Sequence, residues 1–133
     1  MSDRPPLIGL RHAAVWVRDM ERSLPFYREI LGFDLEWQPD PGNAYLTSGT
    51  DNIALHQARS GHDPSGEDQV LDHLGLAVRN AREVDEWAEY LSSRGVEITQ
   101  APRTHRDGAR SLYFRDPDGI LIQLIHHPPI ANQ

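Results

Sequence analysis

Arg11-His12-Ala13-Ala14-Val15-Trp16-Val17 and, 61 residues later, Asp72-His73-Leu74-Gly75-Leu76-Ala77-Val78 carry the reading of this fold. In the first, Ala13, Val15 and Val17 alternate with His12, Ala14 and Trp16. In the second, Leu74, Leu76 and Val78 alternate with His73, Gly75 and Ala77. Period-two alternation marks a half-buried strand. The pattern predicts a strand running back from Val17 to Leu7 and another over Val70–Val78.

Each strand leads into a helix pattern. After the first, Asp19 sits where an N-cap belongs, and Met20, Leu24, Tyr27 and Leu31 follow at i, i+4, i+7 and i+11. Pro25 falls inside that stretch and requires the helix to start late or bend. Gly32 closes it. After the second strand, Asn80 is the N-cap, Val84, Trp87, Ala88 and Leu91 form the stripe, and Gly95 closes it. Three strands are predicted after each helix: Phe33–Gln38, Ala44–Ser48 and Asn52–Ala58, then Val96–Gln100, Arg110–Arg115 and Ile120–His126. Pro39-Asp40-Pro41-Gly42 and Ser48-Gly49-Thr50-Asp51 separate the first set as turns.

The chain therefore reads as one α+β domain over residues 1–133. Module one covers 7–58, a polar linker 59–69, and module two 70–127. Matched punctuation supports duplication: Gly32 with Gly95 at an offset of 63, then Asp51 with Asp118 and His56 with Gln123 at 67.

Composition narrows the function. A formal net charge of -7 argues against a nucleic-acid partner, which needs clustered Lys and Arg. With no cysteine there are no disulfides, thiolate metal sites or Cys nucleophiles. No apolar run nears the roughly 18 residues of a membrane span, and Met1-Ser2-Asp3-Arg4-Pro5-Pro6 lacks the apolar region of a secretory signal. The expectation is a cytoplasmic protein with no membrane partner.

The strand–helix–three-strand repeat resembles the vicinal-oxygen-chelate superfamily of glyoxalases, bleomycin-resistance proteins and extradiol dioxygenases. The segments that carry the likeness are Arg11–Val17 with Asp19, Ser23-Leu24-Pro25-Phe26-Tyr27 through Leu31-Gly32-Phe33, Leu71–Val78, and Tyr113-Phe114-Arg115-Asp116-Pro117-Asp118-Gly119-Ile120-Leu121-Ile122-Gln123-Leu124. The resemblance implies two βαβββ modules whose strands form a cupped mixed sheet with helices outside and the site inside. It also implies a homodimer, in some members with modules exchanged between chains.

In metal-binding members the ligands come from the first and last strands of each module. Those places hold His12 and His73, and His56 and Gln123. Three imidazoles and an amide oxygen suit a divalent transition metal: zinc, nickel, cobalt, iron or manganese. The metal would chelate a small oxygen-bearing substrate and act as a Lewis acid. The resemblance also shows a departure, because metal-dependent members usually carry Glu where this chain has Gln123. Gln cannot serve as a base, so His56 is the one candidate catalytic base.

Other polar residues are weighed against simpler roles. Arg103, His105, Arg106 and Arg110 form a basic loop that either meets a substrate anion or stands in solvent. Trp16 shares the His12 face and is placed to stack on a ring. Phe33, Trp37, Tyr45 and Tyr113 either line the cup or, as strand aromatics more often do, belong to the core; the Asp116–Gly119 segment reads as a turn, and His126 and His127 as a strand end. His62 lies in the linker. The leading function is a metal-dependent glyoxalase-like lyase or isomerase. The alternatives are a metal-free bleomycin-resistance-type binding protein and an extradiol-type dioxygenase, the latter disfavoured by the missing carboxylate.

Overall fold

The computed structural model describes residues 10–59 and 71–128. The element order is β1 (His12–Val17), α1 (Met20–Pro25) continued by a π-helical turn (Phe26–Ile30), β2 (Asp34–Asp40), β3 (Asn43–Thr47) and β4 (Asn52–Gln57). The second half repeats it: β5 (Leu74–Ala77), α2 (Ala81–Ser93), β6 (Ile98–Thr104), β7 (Arg110–Arg115) and β8 (Leu121–His126). Apart from Arg59, the expected linker lies outside the described residues, as do His62 and residues 7–9 of the expected first strand.

The hydrogen-bonded strands form two four-stranded mixed sheets rather than one continuous sheet. Their orders are β1-β4-β3-β2 and β5-β8-β7-β6. In each, the first strand runs parallel to the last and the remaining pairs are antiparallel. The architecture is α+β, as expected. β1 and β5 each end up at a sheet edge.

One face of each sheet builds the core. Val15 and Val17 of β1, Ala44 and Leu46 of β3, and Ile53 and Leu55 of β4 are buried there. From the second half come Val84 and Leu91 of α2, Leu112 and Phe114 of β7, and Ile122 and Leu124 of β8. These side chains form one apolar cluster spanning both halves. Burying such residues stabilises the fold by roughly 1.5–3 kcal/mol for each large aliphatic or aromatic side chain. The alternating residues His12, Ala14 and Trp16, and Gly75 and Ala77, are exposed.

Pro25 has its expected effect, in a form periodicity does not specify. The α-helical ladder stops at Pro25, which has no N–H to donate. The chain then widens into a π turn, where the Leu31 N–H donates to the Phe26 carbonyl at 3.1 Å. Helix α2 has no such interruption. Its start is a capping box: Asn80 Oδ1 accepts from the Glu83 N–H at 3.0 Å, and the Asn80 N–H donates to Glu83 Oε1 at 3.1 Å.

Two strands run longer than predicted. β2 continues through Pro39, which an edge strand tolerates because it needs no donor on its outer side. β6 continues to Thr104, so Arg103 belongs to a strand and Arg110 opens the next; only 105–109 form a loop.

The Asp116–Gly119 turn does more than reverse the chain. Asp116 Oδ1 accepts from the Asp118 and Ile120 N–H groups at 2.8 and 2.9 Å, as a turn carboxylate should. Its Oδ2 accepts from the Tyr27 hydroxyl at 2.9 Å. Asp118 reaches into the first half, accepting from the Arg18 N–H at 3.0 Å, the Ser23 hydroxyl at 3.1 Å and the Arg22 guanidinium at 2.7 Å. Its side chain is fully buried. A buried carboxylate is tolerable because both of its oxygens accept hydrogen bonds and one of them faces a guanidinium. The halves are therefore tied by this turn as well as by apolar packing.

Candidate metal centre and open sheet faces

Register decides which residues of the two halves are equivalent. Ala14 pairs with Ala54, and Gly75, 61 residues after Ala14, pairs with Gln123. The last strands are thus related by 69 residues, not the 67 expected. The counterpart of Gln123 is Ala54. The counterpart of His56 is Ile125, because Trp16 pairs with His56 and Ala77 with Ile125. The expected equivalence of His56 and Gln123 is corrected by two positions. The second half has a longer loop before β7 and a longer turn before β8 than the first half has before β3 and β4.

Each of the three strand histidines has one ring nitrogen tied down. His12 Nδ1 lies 2.7 Å from Asn52 Oδ1, and the Asn52 amide nitrogen donates to Glu36 Oε1 at 2.6 Å. His56 Nδ1 lies 2.6 Å from Asn43 Oδ1, and the Asn43 amide nitrogen donates to both Asp40 oxygens at 2.9 and 3.0 Å. His73 Nδ1 lies 2.7 Å from Asp72 Oδ2. In each asparagine relay the carboxylate fixes the amide orientation, so the amide oxygen faces the ring and the proton sits on Nδ1. Nε2 is then a bare acceptor in all three. Metal-ligating histidines are typically held by an outer partner in this way.

Gln123 is nearly buried on the open face of β8. Its amide nitrogen donates to the Tyr113 hydroxyl at 3.0 Å, which leaves Oε1 as an acceptor over Gly75. The His73 ring meets the Tyr113 ring edge-on at 5.7 Å. His73, Tyr113 and Gln123 therefore share one patch of the second sheet. His12 stands on the first sheet beside Asn52. Among the described residues no three His, Cys, Asp or Glu side chains gather into one cluster, so His12, His56 and His73 do not converge within a chain. The residues fit a metal as donors, with His12 on one sheet and His73 with Gln123 on the other.

His56 instead belongs to a run of rings. It lies 5.9 Å from Trp16 and 5.9 Å from Tyr45, and Tyr45 stacks on Trp37 at 5.2 Å. Phe33 is core, as expected, but Trp37 is 60% exposed and Tyr45 and Tyr113 are only partly buried. A β-bulge explains Trp37. Leu35 pairs with Leu46 and Trp37 with Tyr45, so one extra residue on β2 turns the indole onto the open face.

A shallow groove of about 500 Å³ is lined by Arg103, Thr104, His105, Arg106 and Asp107. Arg110 is diverted from it by a two-point pair with Asp85 at 2.7 and 2.9 Å. His105 Nε2 lies 2.7 Å from the buried Ser111 hydroxyl.

These two open faces, joined through the helix sides of their sheets, match a known family. The family model of the Glyoxalase/Bleomycin resistance protein/Dioxygenase superfamily aligns with residues 9–124. The chain belongs to this superfamily. It is 32% identical over 120 residues to the metallothiol transferase FosB of Staphylococcus epidermidis, covering 89% of this chain and 81% of the relative. It is 31% identical over 127 residues to the fosfomycin resistance protein FosX of Listeria monocytogenes, covering 87% of each. An integron cassette protein from the mobile metagenome of Halifax Harbour sewage outfall superposes with a TM-score of 0.75 at 28% identity, covering 91% of this chain and all of that one. No helix among the described residues is long and apolar enough to cross a membrane.

Proposed function

We propose that this protein is a divalent-metal-dependent glyoxalase-type enzyme whose metal ligands are His12, His73 and Gln123. The observation that carries the reading is the matched pair of histidines, one opening β1 and the other immediately before β5, each with Nδ1 held and Nε2 open. The Gln123 amide oxygen adds a neutral third donor. When bound, the ion would supply Lewis-acid polarisation of a chelated oxygen. The donors stand on two sheets whose first strands, β1 and β5, are both edges. An unpaired edge is a template for a further strand. A homodimer in which His12 of one copy completes the pair His73 and Gln123 of another accounts for both facts.

The chemistry follows from what the register removes. A glyoxalase-type proton relay uses carboxylates on the last strands, and this chain has Ala54 and Gln123 there. His56 lies two positions beyond Ala54, in the ring cluster. A lyase or isomerase working through such a relay is therefore less well served than addition of a nucleophile to a chelated small molecule. The relatives' names, a metallothiol transferase and a fosfomycin resistance protein, support that second reading. Arg103 and Arg106 give the substrate's anionic end a basic wall.

Metal content of protein purified without added metal, then reloaded with manganese, zinc or nickel, tests the ligands. His12→Ala and His73→Ala should each lose the metal, and His56→Ala should keep it. Mixing the two deficient variants tests the shared site, since a mixed dimer holds one intact site and one doubly deficient site. Partial recovery of metal on mixing is expected. No recovery would place both ligands in one chain, and retention of metal by both single variants would remove the assignment.

A further inference from the structure

β2 carries its first bulge at Glu36. Leu35 pairs with Leu46 and Trp37 with Tyr45, so Glu36 is the residue without a cross-strand partner. Its side chain reaches across β3 to β4, where Oε1 accepts from the Asn52 amide at 2.6 Å. Asn52 stands opposite His12 of β1, and its Oδ1 lies 2.7 Å from His12 Nδ1. Residues of three strands thus form one line that ends on one imidazole.

The fold does not ask for this line. The second half has the same bulge, since Ile98 pairs with Phe114 and Gln100 with Tyr113, but its bulged residue is Thr99. The counterpart of Asn52, 69 residues on, is Leu121. Stability does not ask for it either, because Glu36 is exposed and an exposed charge adds little. Yet His73 also has a carboxylate behind it, by another route: its chain neighbour Asp72 lies 2.7 Å from Nδ1. The halves share the bulge and differ in the relay, and both end with a carboxylate behind the histidine. The donors His12, His73 and Gln123 are themselves neutral. Among the described contacts, negative charge stands one step out from them, on Glu36 and Asp72.

We infer that Glu36 and Asn52 are positioning residues for His12. Glu36 fixes the Asn52 amide, and Asn52 holds the imidazole proton on Nδ1, which leaves the Nε2 lone pair for a metal. This role rests on the reading of His12 as a ligand. Without the amide oxygen nothing holds the proton on Nδ1, and a proton on Nε2 would occupy the lone pair that a metal needs.

Two measurements on the full-length chain test the relay. The first is the His12 tautomer in metal-free protein in mildly alkaline buffer, read from the ring nitrogen resonances; His12→Ala identifies the signals. The second is affinity for zinc alone, against a competing chelator. The parent should hold its proton on Nδ1. Asn52→Leu and Glu36→Thr each install the residue that the second half carries, so both should fold. Asn52→Leu should move the proton to Nε2 and weaken zinc binding about tenfold. Glu36→Thr should mix the tautomers and weaken binding less. Glu36→Gln keeps an acceptor for the amide, and should keep the parent tautomer and an affinity within about threefold. In the Asn52→Leu background, Glu36→Thr should add nothing, because the two act through one line. A parent proton on Nε2, zinc affinity unchanged by Asn52→Leu, or fully additive losses would overturn the role while loss of zinc in His12→Ala left the metal reading standing. Zinc kept by His12→Ala would overturn both.

Discussion

The two open sheet faces share a backbone and differ in what they display. His12 and His73 stand at equivalent points, each with Nδ1 held, one by the Asn52 amide and the other by the Asp72 carboxylate. Two residues along each first strand, the partner on the last strand is Ala54 in one half and Gln123 in the other. Four residues along, it is His56 among indoles in one half and Ile125 in the other. Duplication preserved pairing register and core volume, which the fold demands. It left the open faces to diverge, so the first half carries rings and the second carries the polar donor.

The turns before the last strands differ as sharply, and there the largest effect is expected. Asp51 serves its own turn, accepting from the Ser48 N–H at 2.7 Å. Asp118 leaves its turn to hold three groups of the other half. Asp118→Ala should cost about 3 kcal/mol, because it strands the buried Ser23 hydroxyl and removes the acceptor that the Arg18 N–H and the Arg22 guanidinium share. Half-exposed Arg22 can rehydrate, which limits the loss. Asp51→Ala, at an exposed turn, should cost about 1 kcal/mol. Urea unfolding at constant slope compares them; equal losses would mean the Asp118 link does not hold the halves together.

Tyr27 and Asp116 form the other link, and both titrate upward. Burial, then the nearby Asp116 charge, holds the Tyr27 hydroxyl well above its ordinary range. Burial also raises the Asp116 carboxyl, against the hydrogen bonds that lower it. A raised folded-state value contributes stability that is complete below the unfolded value and is lost as pH rises through the folded one. For Tyr27 that loss begins near pH 10, where the unfolded tyrosine ionises. Tyr27→Phe should cost about 2 kcal/mol at neutral pH, since it removes a buried donor from a carboxylate. It should also remove this group's share of the alkaline decline. A stability curve whose decline above pH 10 matches the parent's would show that Tyr27 does not report on the link.

Much of this was legible because it is periodic. Alternation found β1 and β5, the Val84–Leu91 stripe and Asn80 found α2, and Gly32 and Gly95 closed the helical segments. The pairing of His12 with His73 followed from strand position alone. What stayed hidden depends on partners remote in sequence. Small differences in loop length accumulate along the chain and set a whole strand's register, so the match of His56 with Gln123 looked sound at an offset of 67 and failed at 69. A bulge turned Trp37 outward, which no period-two count anticipates. Asp118 read as a turn residue because its three partners lie about 100 positions earlier.

Gln123 offers a sharper test of the divergence of the open faces. Gln123→Glu places a carboxylate where metal-dependent relatives usually carry one, and the Tyr113 hydroxyl can turn to donate to it. Divalent-metal affinity should rise about tenfold, or about 1.4 kcal/mol, measured by calorimetry. Ala54→Glu, at the matched position of the other half, should leave affinity within about twofold, because His73 and Gln123 already share the opposite sheet. A gain from Ala54→Glu with none from Gln123→Glu would move the metal to the first half.

The smallest effects belong to the helix starts. The start of α1 is held three ways: Asp19 Oδ1 accepts from the Glu21 N–H at 3.1 Å, Gln57 Oε1 from the Met20 N–H at 2.8 Å, and Asp118 binds the Arg18 N–H just before it. α2 relies on the Asn80–Glu83 box. Losing a cap typically costs about 1 kcal/mol, and losing one of several supports costs less. Asn80→Ala should therefore destabilise by about 1 kcal/mol and Asp19→Ala by about half that. The reverse order would mean that Gln57 and Asp118, despite their contacts, do not support the first helix.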